Sequence, residues 1–123
     1  MGPAGPPGPA GAAVLTARSR GSIATSLNAL ARFTAFTSGN GTTSIRDPRT
    51  DPSWHDITSV PGYPGTVTQV ELESDATDLH VTVLTATGTI AHTTCLVRPV
   101  PGTLSNPAWP GNCGAFTDVA PPT

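Results

Sequence analysis

Lysine is absent from this chain of 123 residues, and charged side chains of either sign make up only 11% of it. Without lysine the chain cannot form the phosphate-binding loop that ends in Gly-Lys-Ser or Gly-Lys-Thr. The basic residues are six arginines, which are scattered along the chain and do not form the basic patch that a nucleic acid needs. We therefore expect no nucleic-acid partner.

Long apolar runs are also missing. No stretch of 18 apolar residues is present, so we expect no membrane insertion. The N-terminus lacks the charged segment followed by an apolar segment that is typical of a secretory signal. We accordingly expect a leaderless protein.

Large apolar side chains are few. Leu, Ile, Val and Phe together account for 24 of the 123 residues, while the net charge is only −2. A fraction just under about 20% marks a disordered chain only when the net charge is high. The composition therefore predicts a folded domain with a thin core, which would gain from burying apolar surface against another subunit.

Catalytic signatures are lacking as well. No Gly-x-Ser-x-Gly motif marks a nucleophile. The histidines His55, His80 and His92 are not spaced like metal ligands. We expect no catalytic residue, no metal site and no cofactor, and hence no enzyme. A small hydrolase that uses His55 or His92 is the weakest of the functional hypotheses.

What the chain does contain is a repeat at its start. Residues 2–13 form four Gly-X-Y triplets, with Gly2, Gly5, Gly8 and Gly11 three positions apart and proline or alanine between them. Three polyproline-type strands can wind together only when every third residue is glycine. A flexible Pro/Gly linker is the alternative, although it requires no period. The run resembles the collagen-like stalks of bacteriophage and bacterial fibre proteins, and this resemblance implies a homotrimer.

Residues 14–31 are predicted to be a linker with a short helix. Within "SIATSLNALA", Ile23, Leu27 and Leu30 fall at positions i, i+4 and i+7, and Ser22 is a suitable N-cap. Such a stripe favours a contact with the core or with another subunit.

Residues 32–123 are predicted to be a β-rich head of five to seven short strands, arranged as a small antiparallel sandwich or barrel. Asn40-Gly41 predicts a hairpin turn. The segment "TVTQVELE" alternates Val70 and Leu72 with Glu71 and Glu73, as a half-buried strand does. A final short strand is expected at residues 115–119.

Residues 79–96 predict a second hairpin. A two-residue turn at Thr87-Gly88 would place Val83 opposite His92 and Leu79 opposite Leu96. In that register His80 and Cys95 share one face, and His80 and His92 lie on opposite faces.

Residues 46–65 carry four prolines and therefore predict a long loop. Long ordered loops often bind ligands. The candidate binding residues in this loop are Asp51, Trp54, His55, Asp56 and Tyr63, which could bind a sugar by stacking and hydrogen bonding. The alternative interpretation, which we favour, is a surface turn anchored by a buried tryptophan.

Cys95 and Cys113 are the only cysteines. Either they form a disulfide, which would contribute about 3 kcal/mol for a loop of this size, or both are free thiols. Neither has a second ligand at the spacing of a zinc site.

Together these features predict a structural or adhesive subunit of a trimeric fibre, spike or capsid-decoration assembly in a bacteriophage virion. Its partners would be further copies of itself and other virion proteins, together with a host surface glycan or receptor. The alternative is a secreted or cell-surface collagen-like protein whose head binds a receptor or glycan.

Overall fold

The computed structural model describes residues 21–120, which form eight strands in two four-stranded antiparallel sheets. The collagen-like segment with its four glycines and residues 14–20 of the predicted linker lie outside these residues. Within them there is no helix, and therefore none that could span a membrane. The strands are β1 (Ser22–Asn28), β2 (Ala31–Thr37), β3 (Thr43–Arg46), β4 (Trp54–Asp56), β5 (Val67–Asp75), β6 (Asp78–Thr85), β7 (Ile90–Leu96) and β8 (Thr117–Val119).

The first sheet has the order β1-β2-β3-β4. β1 occupies the residues for which a helix was predicted, so that prediction was wrong. It pairs with β2 along its whole length, from Ser22 opposite Thr37 to Asn28 opposite Ala31. An apolar spacing of four residues places two side chains on one face of a strand as well as of a helix, because four is a multiple of the strand period of two. The sandwich thus begins at Ser22.

The second sheet has the order β5-β6-β7-β8. β5 shows the alternation that the sequence predicted, with Val70 buried and Glu71 and Glu73 exposed. β8, a strand of three residues, lies within the segment where the final strand was expected.

The register of the β6–β7 hairpin differs by one residue from the prediction. Leu79 lies opposite Cys95, and Val83 lies opposite Ala91. The turn has three residues between Thr85 and Thr89, with Gly88 in the left-handed region at a φ of 91°. Glycine adopts this conformation without steric cost. As a result Cys95 points into the core, whereas the two histidines predicted on opposite faces share the outer face.

The two sheets pack face to face in a sandwich-like arrangement, with β5 against β1 and β2. The shared core is contributed by both sheets and by the connections between and after them. Its largest fully buried members are Phe33, Ile45, Ile57, Leu79, Val67, Val81, Val83 and Val97.

After β7 an arm runs back over the domain, as the prolines predicted. A disulfide joins Cys95 to Cys113, and the two residues also form a backbone bridge between β7 and the arm. Further along, Phe116 in the arm donates its backbone N–H to the carbonyl of Pro61 at 2.8 Å. The arm is therefore attached to the second sheet and to the connection between β4 and β5.

Candidate functional site

The proline-rich loop after β3 is organised around a buried carboxylate. Asp47 is inaccessible to solvent and accepts hydrogen bonds from Nε and Nη2 of Arg49 at 2.8 and 2.9 Å. The indole N–H of Trp109 donates to the same carboxylate at 3.0 Å. Burial alone would raise the pKa of Asp47, but these hydrogen bonds, with the Arg49 charge, hold it below its usual value.

Arg49 connects this carboxylate to β2 and to the residue that follows β7. Its Nη1 donates to the backbone carbonyl of Val97 at 2.8 Å, and its guanidinium lies 5.0 Å from the ring centre of Phe33 in β2. A guanidinium over an aromatic face is attracted by the negative face of the ring. The loop is thus a fixed part of the sandwich.

The loop is anchored by a tryptophan, but not by the one in the loop. Trp109 from the arm is buried, whereas Trp54 is 46% exposed. The interpretation of Trp54 as a buried anchor was therefore wrong. Trp54 lies opposite Arg46 at the outer edge of the first sheet. The alternation of side chains along β4 puts Trp54 and Asp56 on the outer face and turns His55 inward.

His55 packs against the anchoring residue. Its ring is stacked on Trp109 with the ring centres 5.7 Å apart, and its Nε2 lies 2.7 Å from the hydroxyl oxygen of Thr50. Burial lowers the pKa of His55, and the Asp47 carboxylate opposes this change. Since His55 is held between these groups, it has a role in packing the loop.

Tyr63 belongs to a different set of contacts. Its hydroxyl donates to the carbonyl of Gly41 at 2.6 Å and lies 2.7 Å from the hydroxyl of Thr43, while its ring meets Phe116 edge-on. Burial raises the pKa of Tyr63, and its contact with Thr43 opposes the rise.

The structure therefore divides the five candidate binding residues: Trp54 and Asp56 share an exposed face, Asp51 is exposed in the loop, and His55 and Tyr63 are structural.

The outer face of the second sheet carries the other two histidines. Nδ1 of His80 lies 3.3 Å from Nε2 of His92, and the two rings are stacked. Nε2 of His80 lies 3.1 Å from a carboxylate oxygen of Asp75, and its Nδ1 is 3.2 Å from the hydroxyl of Thr94. We call this set of His80, His92, Asp75 and Thr94 the histidine cluster.

The histidine cluster contains a hydroxyl, an imidazole and a carboxylate in sequence, as a nucleophilic site does. Acyl transfer also needs donors aimed at the developing oxyanion. Here the cluster lies on an open sheet face, and the backbone of β6 is hydrogen-bonded to a neighbouring strand on each side. Within residues 21–120, no three His, Cys, Asp or Glu side chains are placed to hold a metal ion. The cluster is best described as a polar surface.

The outer face of the first sheet carries several large apolar side chains near β1, beside Arg32, which lies opposite Leu27. Ile23 is 68% exposed, Leu27 is 56% exposed and Phe36, directly opposite Ile23, is 36% exposed. Leu30, in the turn between β1 and β2, is fully exposed. We call Ile23, Leu27, Leu30 and Phe36 the apolar patch. The predicted helical stripe contained three of these four residues, but it did not indicate that they face solvent in an isolated chain.

The inner face of β1 explains why its large side chains point outward. Three side chains on this face form hydrogen bonds with β5. The Ser22 hydroxyl oxygen accepts from the N–H of Val70 at 3.3 Å, and the Ser26 and Ser74 hydroxyls lie 2.8 Å apart. Asn28 donates to the carbonyl of Asp75 at 3.0 Å. Small polar side chains allow the edges of the two sheets to approach closely. The alternation of small and large residues along β1 is the sequence signal for this arrangement.

Comparisons of the chain with protein-family models, with curated proteins and with solved structures gave no match. The functional interpretation therefore rests on the repeat and on the geometry of the described residues.

Proposed function

We propose that this chain is a structural subunit of a homotrimeric fibre, spike or capsid-decoration assembly, in a bacteriophage virion. The observation that carries the proposal is the order of two features along the chain. The Gly-X-Y repeat ends at residue 13, and the first strand of a disulfide-closed sandwich begins at Ser22. The repeat requires three strands, and it leads directly into a folded head. This is the organisation of a stalked trimer.

The head supports this role in two ways. Four collagen-like triplets are too few to hold three chains in register unaided, because each adds only about 9 Å of polyproline helix. A rigid head can supply the register, and this one is braced by the Cys95–Cys113 disulfide and by the Asp47 carboxylate with its donors. The adhesive part of the function is assigned to Trp54 and Asp56, whose exposed side chains suit stacking and hydrogen bonding with a sugar.

The test is the oligomeric state of the chain with and without residues 1–13. Native mass spectrometry at micromolar concentration should report three chains for the full sequence. Removal of residues 1–13 should weaken the trimer, because the stalk then no longer contributes to association. A clean monomer of the full sequence at the same concentration would overturn the proposal.

The disulfide is equally compatible with a second candidate, a secreted or cell-surface collagen-like protein with a receptor- or glycan-binding head. Disulfides persist mainly in oxidising environments, which include both the cell exterior and released virions. An antibody raised against residues 21–120 distinguishes the two. Detection in purified phage particles supports the virion protein, whereas detection in the washed cell-surface fraction alone supports the second candidate.

A further inference from the structure

We propose that the apolar patch on β1 and β2 is the surface through which the heads of three copies of this chain pack against one another. This inference rests on the proposed trimer and names the part of the head that forms it. The occupant of the patch is thus a second copy of the chain.

The exposure of the patch is the first reason. Three of its four members are more than half exposed, and Phe36 extends the patch onto β2 by facing Ile23. Single exposed apolar residues are ordinary, but neighbouring ones on a flat sheet face mark a surface for interaction. The sequence has few large apolar residues, yet it places four of them here.

The position of β1 is the second reason. β1 is an edge strand, and its other edge is not paired with any strand among residues 21–120. Exposed edge strands usually carry charges that prevent association. β1 carries no charged residue between Ser22 and Asn28, and its outer face shows Ile23, Thr25 and Leu27.

The chain that precedes β1 identifies the occupant. The repeat at residues 2–13 requires two further copies of itself, and residues 14–21 connect it to the first residue of β1. A segment of that length reaches at most roughly 30 Å when fully extended. Three heads tethered to one stalk must therefore gather close to its axis, and the start of β1 is the point at which each head is tethered.

The opposite edge of the same sheet stays available in this arrangement. Trp54 lies on β4, three strands away from β1, so a distance of about 14 Å separates the two strands at the usual strand spacing. Packing of the heads through β1 and β2 would leave Trp54 and Asp56 at the periphery of the trimer, where a glycan or receptor can reach them.

The first arm of the test compares two double variants of the full chain. Ile23→Thr/Leu27→Thr removes two apolar side chains from the patch and keeps β-branched residues that suit a strand. The matched control is Leu84→Thr/Ile90→Thr, which alters a cross-strand pair on the outer face of the second sheet. The measurement is a dilution series followed by native mass spectrometry. We expect the trimer of the patch variant to dissociate at a concentration about tenfold or more higher than the wild-type trimer does. The control should dissociate at the wild-type concentration.

The second arm does not depend on removing apolar surface. Thr25→Cys places a thiol between Ile23 and Leu27 on the outer face, and Thr82→Cys places one at the centre of the outer face of the second sheet. Because the two native cysteines are joined to each other, only the new thiol reacts with a short bismaleimide reagent. We expect covalent dimers from Thr25→Cys and none from Thr82→Cys.

Each outcome decides the proposal. A trimer that keeps its stability in Ile23→Thr/Leu27→Thr and gives no cross-link from Thr25→Cys overturns the patch as the interface, and leaves the proposed trimeric function standing. A full chain that is monomeric in every variant overturns both the patch as the interface and the proposed trimeric function. The occupant of the patch would then be residues 1–20 of the same chain or a different protein.

Discussion

The outer faces of the two sheets differ, although each sheet has four antiparallel strands joined in sequence order. Near β1 the first sheet shows Ile23, Leu27 and Phe36 to solvent. At the centre of the second sheet the corresponding surface shows Glu71, His80 and His92. Since both sheets share one core, their outer faces are free to differ in composition without changing the fold.

The two sheets also differ in how a carboxylate is held. Asp47, beside the first sheet, is fully buried and accepts from both Arg49 and Trp109. Asp75, at the end of β5, is exposed and its carboxylate lies 3.1 Å from Nε2 of His80. A buried charge depends on its partners for stability, whereas an exposed charge retains its hydration when a partner is lost. Four predictions test this contrast between the sheets.

Loss of the buried carboxylate should have the largest effect. Asp47→Ala leaves the Arg49 guanidinium and the Trp109 indole N–H without their acceptor, and breaking a buried ion pair from one side costs about 3–5 kcal/mol. We expect a loss of that size in the free energy of unfolding, measured by urea denaturation. Asp51→Ala in the same loop is the control and should change stability little, because Asp51 is exposed. Equal effects of the two variants would show that Asp47 does not organise the loop.

Loss of the disulfide should have the next largest effect. Cys95→Ala/Cys113→Ala opens the loop between β7 and the arm, and the chain-entropy relation gives about 3 kcal/mol for a loop of this size. The measurement is again urea denaturation, of the variant and of the wild-type chain with and without reductant. Reduction should lower the stability of the wild type and leave the variant unchanged. If reductant leaves the wild type unaffected, the bridge contributes no stability.

Acid should weaken the domain in two stages. The pKa of His55 is lowered in the folded state, so unfolding gains protons and the free energy of unfolding begins to fall as pH drops below about 6.5. The pKa of Asp47 is also lowered, so its contribution is complete above about pH 4 and is lost as pH falls through the folded value. Urea denaturation from pH 8 to pH 3 measures both stages.

Variants assign the two stages of this pH dependence. His55→Gln should remove the decline near pH 6, and Asp47→Asn should flatten the decline below pH 4. A decline near pH 6 that persists in His55→Gln would show that His55 is not its source.

Loss of the exposed carboxylate of Asp75 should have the smallest effect. Asp75→Asn removes the charge beside His80 on the second sheet, and exposed pairs contribute less than about 1 kcal/mol. Thermal unfolding of the variant and the wild type at low and high salt measures the difference in stability. High salt should make this difference smaller still. A loss as large as that of Asp47→Ala would contradict the contrast drawn between the two carboxylates.

Much of the β structure was predictable because its signals are local. The alternation in β5 and the hairpin at Asn40-Gly41 depend on side chains next to each other in sequence. The β6–β7 hairpin was predicted, but its register was wrong by one residue. The sequence Thr87-Gly88 is compatible with turns of two or three residues, and the choice between them moves every side chain of one strand to the other face.

The candidate site was less predictable. The loop after β3 was found from its prolines, but the identity of its anchor was not, because Trp109 is far away in sequence and reaches the loop only after the arm has folded back. The stacking of His80 on His92 was missed because it depends on the register of the hairpin.

By itself the sequence determined the repeat, the β character of the head and the positions of most turns, since these depend on glycine spacing, on the strand period and on proline. Only the tertiary structure decided which face of β1 is buried. Ile23 and Leu27 fall on one side in a helix and in a strand alike, and they point outward because β5 approaches the opposite side so closely that it accommodates only the small side chains there.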